Sequence, residues 1–79
     1  MTIREKVENY ILELTSLPEL DHSMNLFENN ILTSLDVLDL ISFIEETFNV
    51  SPSDEDIGIE SLGSINSIVN LIEKLKQNV

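Results

Sequence analysis

Nine serines, one histidine and 15 carboxylates hold most of the polar chemistry this 79-residue chain can offer. Cysteine is absent, which excludes thiolate nucleophiles, thiolate metal sites and disulfides and leaves nothing to place the chain in an oxidising compartment. His22 falls in a connecting segment with no cysteine to pair with, where a lone histidine is expected at the solvent. Carboxylate pairs such as Glu45 with Glu46 or Asp54 with Asp56 arise by chance in so acidic a chain, and a domain this small has little cavity in which to raise a carboxyl pKa for acid catalysis. Residues 54–60 invite a calcium-loop reading, but that loop needs glycine at its sixth position and a carboxylate at its twelfth. Counted from Asp54, Gly58 is fifth and Ile65 twelfth, so the motif fails. Neither intrinsic catalysis nor a built metal site is expected.

Ser34 stands apart because it follows a long connection and opens a helix that also bears an acidic and apolar face. An exposed hydroxyl there can accept a phosphate-containing group, whose charge is favoured by the free N–H groups and dipole of the helix start by about 0.3–1 kcal/mol. An ordinary capping serine occupies the same kind of position.

The elements that must position Ser34 are legible as periodicity. Thr2 with Glu5 has the form of a capping box, and Ile3, Val7, Tyr10, Ile11 and Leu14 then recur on one face of a first helix. Residues 16–33 contain Pro18 and no sustained period, yet carry Leu17, Leu20, Met24, Leu26, Phe27, Ile31 and Leu32, too apolar for a solvated linker. They are expected to lie over the helices with those side chains tucked beneath. Val37, Leu40, Ile41, Ile44 and Phe48 form the core stripe of a second helix over residues 34–48, about 22 Å long. After a break at Pro52, Ser53 with Asp56 resembles a cap, predicting a short third helix over residues 54–60 weakened by Gly58. Ile65, Ile68, Val69, Leu71, Ile72 and Leu75 line one face of a last helix. Three long helices and one short one, with no strand-like alternation, predict an all-α fold, a small four-helix bundle with a long loop between helices one and two. A chain this short buries only about 60% of its unfolded surface, so residues 1–79 are read as a single domain and, from the initial Met and helical tail, as a free-standing protein.

The net charge is −11, and every acidic residue except Glu5 lies between Val7 and Glu73, a stretch with no Lys or Arg. This argues against nucleic-acid phosphate or an anionic membrane surface as partner and for a basic protein surface. No apolar run approaches the ~18 residues of a membrane span, and a cytoplasmic location is expected. On the second helix Leu35, Leu38 and Phe43 point away from the core stripe, among Asp36, Asp39, Ser42, Glu45 and Glu46. An apolar centre with a charged rim is the composition of a docking surface. Leu35 is the best candidate for exposure, whereas one of Leu38 and Phe43 is expected to lie under the long loop or the third helix.

Thr33-Ser34-Leu35-Asp36, continued through Val37-Leu38-Asp39-Leu40-Ile41 to Ile44-Glu45-Glu46-Thr47-Phe48-Asn49-Val50, resembles the acyl carrier and peptidyl carrier proteins, whose signature is Asp-Ser-Leu followed by a helix ending in an acidic pair and a Phe. The similarity extends to Leu26-Phe27 and Ile31-Leu32 before the serine, and to Asp54-Glu55-Asp56-Ile57 and the Ile-rich last helix after it. One departure is Thr33, where most of the family has Asp; Thr still caps a helix, while recognition by a particular transferase is affected. The resemblance implies that a phosphopantetheinyl transferase esterifies Ser34 with 4′-phosphopantetheine from coenzyme A. The terminal thiol then carries an acyl or aminoacyl group as a thioester, and the domain is a non-catalytic carrier. It also implies that Leu35, Asp36, Leu38, Asp39 and Glu45 are read by partner enzymes with basic docking patches, among them an acyl- or aminoacyl-loading ligase. A monomer is expected. The Asp56-Ile57-Gly58-Ile59-Glu60 phrase and the helix after it are closer to carriers of specialised-metabolite (nonribosomal-peptide- or polyketide-like) biosynthesis than to the housekeeping fatty-acid carrier. An unmodified acidic helical adaptor is the reading from a different class. With charge so one-sided, added salt or magnesium should raise the melting temperature; a flat thermal-melt series across that titration would contradict the inferred repulsion.

Overall fold

The computed structural model describes residues 2–77. Helix α1 spans Ile3–Thr15, opened by Thr2, whose hydroxyl oxygen accepts the Glu5 N–H at 3.1 Å as the capping box predicts. Ser16 ends it in the left-handed region at φ 60°, donating its N–H to the Leu12 carbonyl at 2.8 Å. Helix α2 spans Ser34–Phe48 and stops at Asn49, also left-handed at φ 58°, a conformation Asn tolerates better than most residues. Helix α4 spans Ile65–Gln77 and packs against α1. Its start is capped by Ser64, whose hydroxyl oxygen accepts the Ser67 N–H at 3.1 Å.

The short third helix is not one helix. Residues 54–60 divide into a 3-10 turn, Asp54–Asp56, and the start of a single helical turn, α3, at Ile59–Leu62. Gly58 makes the division: it is extended at φ −166° and its carbonyl accepts the Leu62 N–H at 3.0 Å, so it starts the second turn instead of continuing the first. The predicted Ser53–Asp56 cap is present with the carboxylate doing the work: Asp56 accepts the Ser53 N–H at 3.2 Å and the Ser53 hydroxyl at 2.9 Å. Those bonds, and then Lys74 at 3.1 Å, hold the Asp56 carboxyl below the usual carboxylate range. The fold is thus all-helical, with three long helices and no strand among the described residues.

The core takes Val7 and Ile11 from α1, Leu40, Ile44 and Phe48 from α2, Leu62 from α3, and Ile65, Ile68, Val69, Leu71 and Ile72 from α4. Val37 and Ile41, expected in the same stripe, are only half-buried. Leu14, expected on the buried face of α1, is 37% exposed, because the helix ends one residue later and the chain turns away.

The long connection lies over the helices as its composition predicts. Leu26 and Leu32 are buried, and Leu20, Met24, Phe27 and Ile31 pack on the core, while Leu17 stays exposed. Two backbone bonds fasten it to the α3–α4 junction: Leu26 N–H to the Gly63 carbonyl at 2.6 Å, and Asn66 N–H to the His22 carbonyl at 2.9 Å. His22 is therefore not the free loop histidine expected from the sequence. Its Nδ1 lies 3.2 Å from an Arg4 Nη1, which can only donate, so the Nε2–H is directed to the Glu8 carboxylate. Arg4 also donates to the Asn66 side chain, and these residues clamp the loop across α1 and the start of α4.

Leu40 and Leu38 sit two residues apart on α2 with opposite burial, 0% against 69% exposed. Leu40→Ala should cost about 2–5 kcal/mol in urea unfolding, and Leu38→Ala no more than about 0.5 kcal/mol; equal losses would contradict this orientation of the helix.

Candidate functional site

Thr33 and Asp36 build the start of α2. Thr33 is extended, at φ −115° and ψ 172°, as a residue preceding a helix should be, and the two residues pair as a capping box. The Asp36 carboxylate accepts the Thr33 N–H at 2.9 Å and the Thr33 hydroxyl at 3.2 Å, while the Asp36 N–H donates to the Thr33 carbonyl at 3.0 Å. Ser34 is the first helical residue and is exposed. Among the described residues its hydroxyl has no hydrogen-bond partner, and the Ser34 and Leu35 N–H groups have no acceptor. A free hydroxyl thus stands beside two free amides at the positive end of a 15-residue helix.

The sequence left open whether Ser34 is a cap, and capping is done by its neighbours. His22 is bound to Arg4 and Glu8, so the hydroxyl has no intramolecular base from the one histidine.

Alongside Ser34 runs a groove of about 390 Å³, with Phe27, Leu32 and Val37 as apolar walls and Asn30, Thr33 and Ser34 along its polar rim. Sequence reasoning did not assemble it, and it explains why Val37 is only half-buried. The clue was Asn30 ahead of Ile31 and Leu32: it is left-handed at φ 58°, and the reversal lets both the Ile31 and Leu32 N–H groups reach the Leu26 carbonyl, at 2.8 and 3.0 Å.

On the outer side of α2, Leu35, Leu38, Asp39, Ser42, Glu45 and Glu46 are all exposed and share an arc of about 120° at 100° per residue. Leu35 is 78% and Leu38 69% exposed. Asp36 lies at the edge of this arc, half-buried, with its carboxylate held by Thr33. Phe43 does not belong to the face, and a contact that half-buries it comes from α1. It stacks on Tyr10 of α1, ring centroids 4.1 Å apart, and meets Phe48 edge-on at 5.8 Å. Partial burial there, together with Asp39 and Asp36, raises the Tyr10 pKa above its ordinary value.

The chain is all-helical among the described residues, and its acidic second helix opens on an exposed serine. The family model described as a phosphopantetheine attachment site matches residues 5–72, and the chain belongs to that family. It is a carrier protein whose prosthetic group is covalently bound 4′-phosphopantetheine, and it interacts with a phosphopantetheinyl transferase and with partner enzymes. A search of curated proteins returns no match. Among the described residues, no helix is long and apolar enough to cross a membrane.

Tyr10 is the only tyrosine and tryptophan is absent, so its ionisation can be read without interference by ultraviolet absorbance. The titration midpoint should lie above that of free tyrosine and fall towards it in Asp39→Asn; a wild-type midpoint at or below the free value would contradict this surrounding. Because the folded phenol is the weaker acid, its contribution to stability is complete below the ordinary tyrosine pKa and lost as pH rises through the folded one.

Proposed function

We propose that Ser34 is the residue that carries 4′-phosphopantetheine, and that residues 1–79 act as a single carrier domain presenting its cargo beside the outer face of α2. The observation that carries this reading is the exposed, unpartnered Ser34 hydroxyl at the helix start, in a chain of the phosphopantetheine-attachment family. The group fits the residues present: the Ser34 and Leu35 amides can receive its phosphate, and Asp36 does not compete for them because its carboxylate is turned back to Thr33. When bound, the group supplies a terminal thiol that holds an acyl or aminoacyl cargo as a thioester.

Attachment uses the Ser34 oxygen as nucleophile. A bond forms between Oγ and the coenzyme A phosphorus that bears the pantetheine, the bond from that phosphorus to the bridging oxygen of the neighbouring phosphate breaks, and 3′,5′-adenosine diphosphate leaves. The transferase takes the serine proton, consistent with a His22 already bound to Arg4 and Glu8. Thr33 in place of the usual Asp keeps the helix start closed through Asp36, while recognition by a particular transferase is affected.

Leu35, Leu38, Asp39 and Glu45, with Asp36 at the margin, form the docking face. Two exposed leucines supply apolar contact, and the carboxylates around them attract basic partner patches, which speeds encounter and leaves binding weak enough for release. The cargo is read as an aminoacyl or other specialised-metabolite unit loaded by an adenylating ligase. Efficient malonyl loading followed by chain elongation would point to the fatty-acid carrier instead.

The test is incubation with coenzyme A and a broad-specificity phosphopantetheinyl transferase, read by intact mass. Wild type should gain one phosphopantetheine and Ser34→Ala none. No gain on wild type would favour the unmodified acidic adaptor, and an equal gain on the variant would overturn Ser34 as the attachment residue.

A further inference from the structure

A second groove, of about 320 Å³, runs between α1 and α2, lined by Lys6, Asn9, Tyr10, Glu13, Phe43 and Thr47. Lys6, Tyr10 and Glu13 share one face of α1 because they recur at helical spacing. On α2, Phe43 lies about 180° around the helix from Ser34 at 100° per residue, so this groove is on the flank away from the proposed attachment point. Phe43 also follows Asp39 by four residues and precedes Glu46 by three, which opens the groove beside the acidic edge of the proposed docking face. Besides partial burial, the Asp39 and Asp36 carboxylates raise the Tyr10 pKa, and the ring therefore stands within the field of that face.

We propose that this groove receives an arginine side chain from a partner enzyme, the guanidinium lying on the Tyr10 and Phe43 ring pair and donating to the Glu13 carboxylate. The proposal rests on α2 as the docking face for basic partner patches. Three observations select this occupant. The aromatic cluster already holds one cation, since the Lys6 Nζ lies 5.8 Å from the centroid of the Phe48 ring, which meets Phe43 edge-on. No ion pair among the described residues involves Glu13, Asp39 or Glu46, so the acidic end of the groove is open to a cation from another molecule. The Tyr10 and Phe43 rings are stacked within 12° of parallel, a flat surface formed before any partner arrives. A planar guanidinium can lie on such a surface and still make forked bonds to a carboxylate, whereas an ammonium is a compact and more strongly hydrated charge. An anionic occupant is disfavoured by the net charge of −11.

Lys6 and Glu13 give the groove a direction. A guanidinium is drawn to the Glu13 end and repelled from the Lys6 end, so the arginine enters in one sense only. Leu35 and Leu38 contact the partner on the outer side of α2, and the arginine adds a contact on its α1 side. Contacts on two sides fix the rotation of α2 against the partner, which a single exposed helix face leaves loose.

The test titrates the whole unmodified chain with Nα-acetyl-arginine amide at constant ionic strength, following backbone amides and the Tyr10 and Phe43 ring signals by NMR. Nα-acetyl-lysine amide, of the same charge, is the control. The arginine probe should give saturating shifts at Asn9, Tyr10, Glu13, Phe43 and Thr47, and the lysine probe weaker ones at the same residues. Tyr10→Leu should weaken arginine binding about two- to fivefold. Glu13→Gln, at an exposed position whose change leaves the fold intact, should weaken it by a similar factor, so a poorly folded Tyr10 variant does not decide the matter. Equal, unsaturated drift with both probes at every acidic position would overturn the proposal and reduce the effect to the charge of the whole chain. Saturating shifts confined to Leu35, Leu38 and Glu45 would overturn it and keep the outer face as the docking surface. No shift at either place would bring down the groove and docking through basic side chains together, while attachment at Ser34 is read separately by intact mass.

Discussion

A long connection with seven large apolar side chains must be held against the helices, and backbone bonds to the α3–α4 junction accomplish this. Leu26 places its side chain in the core at 0% exposure, gives its N–H to Gly63, and receives the Ile31 and Leu32 N–H groups at its carbonyl. One buried residue therefore fixes where the chain comes out of the loop and at what angle it enters α2. The His22 carbonyl bond to Asn66, with Arg4 and Glu8 around the ring, supplies a second fastening farther back. If those points slipped, the start of α2 would lose its surroundings, since Thr33 and Asp36 satisfy each other and bring no other element to the site.

The division of labour at the helix start follows from hydrogen-bond capacity. A carboxylate that accepts twice from Thr33 closes the entrance without using the first amides of the helix, and the hydroxyl between them is left without a protein partner. Chain polarity then does two things at once. The positive end of α2 faces the proposed phosphate, while farther along the same helix Asp39, Glu45 and Glu46 extend an acidic face around Leu35 and Leu38 with no ion pair among the described residues. The proposed attachment point and the proposed docking face thereby share a single rigid element, which would keep the arm's origin at a constant distance from a partner bound to that face.

Much of this was legible before any coordinates. The bounds of α2 and the buried face of α4 follow from apolar spacing, because a 15-residue stretch whose large residues recur at helical intervals has one economical way to hide them. The Thr2 cap and the apolar character of the loop were equally plain. The third helix was misjudged since propensity treats Gly58 as a weak residue inside a helix, whereas an extended glycine whose carbonyl accepts the Leu62 N–H begins a new turn. Phe43 was misjudged because periodicity on α2 alone does not reveal that Tyr10 of α1 offers it a flat surface. His22 was misjudged for the same reason: its partners Arg4 and Glu8 are on α1, distant in the chain.

By itself, the sequence determined the all-helical class, the net charge, the exposed acidic and apolar face and the serine at the head of α2, since each depends on residues that are near one another along the chain and on the short-range geometry of a helix. Only the tertiary structure decided which side chains surround that serine. Phe27, Asn30 and Val37 come together because a loop doubles back over the core, and the energy that fixes a loop's path comes from contacts between residues far apart in sequence, which no local pattern encodes.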